Sequence, residues 1–155
     1  MHARLPKVVV GAVVVSAALW GADPFLGTWK LNLEKSKFGA APVPKAGTRT
    51  CVAQRGGMIK CTQDGVNAKG ESTHMEYTVK YDGKDYPVTG SPTVDTVAAK
   101  RIDSRTQEWT GKKAGQVVGT VRIVVSKDGK TLTGTWSGKD PAGNPITYTT
   151  VSDKQ

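Results

Sequence analysis

The chain has 155 residues, with 22 Lys plus Arg against 13 Asp plus Glu and a net charge of +9. The lysines are dispersed, and only Lys100-Arg101 and Lys112-Lys113 are adjacent, so the charge describes a solvated basic surface rather than a nucleic-acid-binding element. Two cysteines, and His74 as the sole histidine after residue 22, make no recognisable zinc set, so neither a metal nor a cofactor is expected.

The first 22 residues differ from the rest. A basic start through Arg4 and Lys7 leads into an uncharged apolar run from Val8 to Leu19, followed by small residues at Gly21 and Ala22. That layout predicts a secretory signal peptide over residues 1–22, with an uncleaved N-terminal anchor as the alternative. The run is shorter than the roughly 20 residues a spanning helix requires, so no membrane span is expected after its removal. Residues 23–155 then form one domain with a charge of +7, large enough to bury a core, in a periplasmic or secreted setting.

From Asp23 onward, helix signals are nearly absent, while Val, Thr and turn residues recur at short intervals, the pattern of an all-β domain. Strands are expected near residues 27–33, 48–54, 58–63, 72–81, 85–89, 93–102, 106–112, 117–126, 131–137 and 146–152. "FLGTWKLN" opens the first, and the Pro- and Gly-rich "FGAAPVPKAG" that follows makes a link rather than a helix. "CVAQRGGMIKC" reads as a hairpin turning at Arg55-Gly56-Gly57, which sets Cys51 opposite Cys61. In an oxidising compartment that register favours a cross-strand disulfide over two buried thiols.

Two Asp-Gly turns predict further registers. At Asp82-Gly83, Lys80 is set opposite Asp85, Val79 opposite Tyr86 and Tyr77 opposite Val88. Met75, Tyr77, Val79 and Tyr81 then share one face, and His74, Glu76, Thr78 and Lys80 the other. At Asp128-Gly129, Val125 is set opposite Leu132, Ile123 opposite Gly134 and Val121 opposite Trp136, with Arg122 and Val124 on the opposite face. A turn at Asp103-Ser104-Arg105 pairs Lys100 with Glu108 and Ala99 with Trp109.

Consecutive strands on short turns make a meander, and so many strands curl or close. The expected architecture is a single antiparallel up-and-down β-barrel of about eight to ten strands, with a two-sheet β-sandwich as the alternative.

"FLGTWKL", with its Gly-x-Trp on the first strand, resembles the opening of lipocalins, and "FLGTWKLNLEKSKF" that of fatty-acid-binding proteins, both calycin barrels. "GTWKLN", "KSKF", "YDGKDYPVTG" and "SKDGKTLT" together resemble small exported bacterial lipocalin-like proteins, over nearly all of residues 23–155. The calycin resemblance implies that Trp29 plugs one end of the barrel and packs against an arginine from a late strand, Arg122 or Arg101. Two features of fatty-acid-binding proteins do not carry over: their lid helices, which "FGAAPVPKAG" cannot supply, and their last-strand Arg, missing from "ITYTTVSDK".

No nucleophile, base and metal set is recognisable, so no enzyme is expected. His74 reads as a solvent-facing residue, and the Gly-adjacent aspartates as turn residues that bond their own backbone. Met75, Tyr77, Val79, Tyr81, Trp109, Val121, Ile123 and Trp136 offer an apolar pocket wall, with Arg101 inside it for an anionic head group. The expected function is non-covalent binding of a small, partly apolar ligand. The alternative is a protein-binding or inhibitory module that uses surface loops around a filled barrel.

Overall fold

A computed structural model describes residues 23–155. The signal peptide expected over residues 1–22 lies outside the described residues. Alternation of inward and outward side chains runs through ten strands: β1 (Gly27–Lys37), β2 (Ala46–Ala53), β3 (Ile59–Val66), β4 (Ser72–Val79), β5 (Asp82–Thr89), β6 (Thr96–Asp103), β7 (Thr106–Lys113), β8 (Gln116–Val125), β9 (Thr131–Lys139) and β10 (Pro145–Lys154). Each strand pairs antiparallel with the next, and β1 pairs with β10, so the sheet closes into a barrel rather than a sandwich.

The predicted turns set most of the registers. Val125 faces Leu132, Ile123 faces Gly134 and Val121 faces Trp136, and Gly129 holds the left-handed conformation that its turn requires. Lys100 faces Glu108 and Ala99 faces Trp109. Cys51 faces Cys61, with Cα atoms 4.2 Å apart, and the two form a disulfide. The turn above them is a short 3-10 segment, Arg55–Gly57, in which both glycines take positive φ.

The β4–β5 hairpin departs from expectation. Tyr77 faces Val88, but the ladder holds only that pair and Glu76–Thr89. Asp82 pairs instead with Lys100 on β6, through an irregularity before Asp85, and Tyr86 donates its hydroxyl to Asp82. The strands splay toward the turn, the cross-strand pairs Val79–Tyr86 and Lys80–Asp85 do not form, and Asp85 pairs with Lys112 at 2.9 Å. The next strand starts at Thr96 rather than Thr93, because Ser91 Oγ accepts from the amides of Thr93 and Val94 and closes a turn there.

An up-and-down barrel has two ends. The turns after β2, β4, β6 and β8 gather at one end with Asp23 and Gln155; the loops after β1, β3, β5, β7 and β9 ring the other. The first end is packed solid. Phe25, Trp29, Cys51, Ile59, Cys61, Val79, Ala99, Val125 and Leu132 are buried there in one cluster that continues to Tyr77, Trp109 and Ile123. Asp23 ties the incoming chain down: its carboxylate accepts from Arg101 Nη2 at 2.7 Å, and the Arg101 guanidinium lies over the rings of Phe25 and Tyr81. Burial, then the nearby Asp23 carboxylate, pushes the Tyr81 phenol above its ordinary value.

The disulfide closes a short loop within this packed end, so opening it chiefly relaxes the unfolded chain. Replacing both cysteines by alanine is expected to lower unfolding stability by roughly 2–4 kcal/mol. Denaturant titration of the oxidised protein and the double variant checks this; equal midpoints would contradict it.

Candidate functional site

The other half of the barrel is hollow. A cavity of about 640 Å³ runs from the loop-ringed mouth down to a floor made by Trp29, Ile123 and Leu132. Its wall is built by strand parity: Leu31 on β1, Met75 and Tyr77 on β4, Trp109 on β7, Val121 on β8, Trp136 on β9, Tyr148 and Thr150 on β10. At the rim stand Pro44, Ser72, Thr73 and the loop Gly90–Val94.

Of the residues that the sequence nominated for the pocket, Met75, Tyr77, Trp109, Val121, Ile123 and Trp136 line this cavity. Val79 and Tyr81 face inward but stand beneath the floor, in the packed end. Arg101 follows the same inward parity, yet sits lower still, where β6 turns into β7, and is held by Asp23. It caps the closed end and does not line the cavity. Arg122 is exposed on the outer face and is not the partner of Trp29. That partner is a lysine: Lys154 places Nζ 4.5 Å from the centre of the Trp29 ring and donates to the Leu26 carbonyl. Trp29 itself is fully buried, and its indole N–H donates to the Phe25 carbonyl at 3.1 Å. It is therefore both plug and floor.

The sequence nominated no residue from β2 or β3 for the pocket, and both contribute to it. Arg49 lies two positions before Cys51 and points inward with it; that spacing is the signal that marks it. Gln63, its cross-strand neighbour, donates to the Tyr77 hydroxyl at 2.9 Å. Lower down, Gln107 is fully buried and accepts the Trp109 indole N–H at 3.0 Å. The interior is thus apolar in area and supplied with polar tips at a few points.

Aromatic packing shapes the mouth. Tyr148 stacks between Phe38 and Trp136, with ring centres 6.3 and 6.2 Å away, and burial pushes its phenol above the ordinary value. Trp136 lies along the wall because three inward positions around it are glycines. A Cβ at Gly119 would stand 2.4 Å from the indole and one at Gly138 3.1 Å; one at Gly111 would stand 3.6 Å from the indole and 2.7 Å from Val94. Gly119→Ala is expected to push the indole into the cavity and cost ~1–3 kcal/mol of stability. A lowered denaturation midpoint with altered near-ultraviolet circular dichroism checks this; a native spectrum would contradict it.

Outside the wall, His74 is exposed between Asp64 and Glu76, and Glu76 also meets Lys60. The hydrogen bond that His74 donates to the Asp64 carboxylate, then the charge of Asp64 and the Glu76 contact, raise the His74 pKa above 6.5, outweighing partial desolvation. The protonated form is therefore favoured by folding, and its contribution is present at low pH and lost as pH rises through the folded pKa. The imidazole titration followed by NMR is expected to have its midpoint above 6.5 and to fall in Asp64→Asn; a midpoint unchanged by that substitution would contradict the pairing. The turn aspartates behave as their sequence context predicts. Asp82, Asp103, Asp128 and Asp140 accept backbone or neighbouring side-chain donors in their own turns, which hold their carboxyls below the ordinary value.

A ten-strand up-and-down barrel with one packed end and one open, aromatic-lined end is a calycin-type barrel. Among solved structures, the fluorescent protein UnaG is similar, with 14% sequence identity, a TM-score of 0.59, and coverage of 84% of this chain and 97% of that one. At that identity the likeness concerns the fold. No protein-family pattern matches the sequence, and no curated protein sequence does.

Proposed function

We propose that this protein is a non-enzymatic carrier or scavenger that holds a small, partly apolar ligand inside its barrel, in an extracytoplasmic compartment. The observation that carries the reading is the cavity of about 640 Å³, a volume within the usual range of small-molecule sites. Its wall is mostly aliphatic and aromatic, so burial of apolar ligand surface supplies affinity, while Tyr148, Thr150 and Arg49 orient the polar part. The likeness to UnaG agrees with a barrel of this kind. The buried disulfide and the predicted signal peptide both favour an oxidising compartment. The alternative, a loop-based protein-binding module, presumed a filled interior, and the cavity removes that premise.

The reading is tested with a neutral, environment-sensitive naphthalene dye, N-phenyl-1-naphthylamine. Enhanced dye fluorescence and quenching of the tryptophans that line the cavity are expected on titration. Val121→Trp and Thr150→Phe, each narrowing the cavity from a different strand, are expected to weaken binding by about tenfold or more. Binding that both variants leave unchanged would place the dye elsewhere and remove the support for a barrel site.

A further inference from the structure

The donors and acceptors of the barrel interior do not balance. Arg49 sits in the cavity wall with its guanidinium 5.4 Å from the centre of the Trp109 ring. Nη2 makes a 3.8 Å contact with Cys61 Sγ, a weak acceptor. Nε and Nη1 are buried and have no hydrogen-bond partner among the described residues. Another side chain that touches Trp109 repeats the pattern. Gln107 gives its oxygen to the Trp109 indole, and its fully buried Nε2 has the Tyr81 hydroxyl near it but no hydrogen bond of full geometry among the described residues.

Buried polar groups are nearly always paired, and a buried charge left alone is costly. The imbalance here has one sign: three N–H-bearing nitrogens lack acceptors, and two of them belong to a permanent cation. Asp64 is engaged with His74 and Asp23 with Arg101. Among the described residues, Arg49 makes no ion pair. Trp109 fixes the plane of the guanidinium, and cross-strand Gln63 is committed to Tyr77.

Building on the ligand-binding reading above, we infer that the barrel selects an amphipathic ligand with an oxyanion, a carboxylate in the simplest case, that enters first and docks on Arg49. The apolar body then fills the upper cavity against Met75, Val121 and Trp136. Nε and Nη1 lie on different edges of the guanidinium, so the oxyanion takes one of them and pairs with the charge that the group carries. Pairing a buried cation that otherwise lacks acceptors makes the head group, rather than chain length, the main discriminator. This arginine is on the second strand. The late-strand arginines nominated from the sequence stand at the closed end and on the outer face.

The test uses two dyes with the same body: neutral N-phenyl-1-naphthylamine and its sulfonate, 1-anilinonaphthalene-8-sulfonate. The wild-type protein is expected to bind the sulfonate about tenfold or more tightly than the neutral dye. Arg49→Met is expected to abolish that preference, read as the ratio of the two dye affinities within the variant, while Arg49→Lys, which retains charge without the fork, retains part of it. Should Arg49→Met fail to fold, the wild-type dye pair and Arg49→Lys still decide. Equal affinity of the wild type for both dyes, or a preference that survives Arg49→Met, would overturn the inference and leave the barrel reading intact. Failure of the wild type to bind either dye would overturn both.

Discussion

The pairing of β1 with β10 is the interaction on which the rest of the structure depends. It joins strands from opposite ends of the described chain, and it removes the two edges that a ten-strand meander would otherwise expose. The seam is stitched by side chains as well as backbone. Asn32 donates to Asp153 at 2.8 Å, Lys35 pairs with the same carboxylate, and Ser36 Oγ accepts the Val151 amide where the β1 register slips. Asn32, then Lys35, hold the Asp153 carboxyl below its ordinary value, so the stitch is present at neutral pH and is lost as pH falls through that depressed value. Closure also brings Lys154 over Trp29, which seats the plug.

Once the ring is closed, every second residue faces an enclosed space, and side-chain size decides what that space becomes. Large residues and the disulfide fill the half nearest the chain termini. In the other half, Gly134 thins the wall, and Gly119 and Gly138 let the Trp136 indole lie flat against it, so the interior stays open. Stability and binding capacity are thus set by different stretches of the same strands.

This division also explains how far the sequence could be read. Turn chemistry at Asp128-Gly129 and Asp103-Ser104-Arg105 sets register, and register sets parity, so the inward row Val121–Ile123–Val125 is legible in the sequence; the row Met75–Tyr77–Val79 is legible from its alternation, since the Asp82-Gly83 register holds only at Tyr77–Val88. Parity does not report depth along the barrel axis. Val79, Tyr81 and Arg101 have inward parity yet fall below the floor, because depth depends on strand tilt and closure. The cation over Trp29 was illegible for a related reason, since Lys154 reaches it only through the β1–β10 seam. Arg49 was legible in principle: its parity follows from that of Cys51, and a charge in step with a buried cysteine is out of place in a plain core row.

Both ends of the described chain lie on the same side of the molecule. Asp23 is clasped by Arg101, and the Gln155 amide donates to the Thr28 carbonyl at 3.0 Å, both at the packed end. A chain attached before Asp23 or after Gln155 must therefore depart from the pole opposite the mouth. Immobilised or fused through either terminus, the barrel would present its opening to the surroundings like a cup held by its base. A short linker between the two termini would also allow new ends to be cut in a mouth loop, moving the point of attachment from base to rim while keeping all ten strands in their present order around the ring.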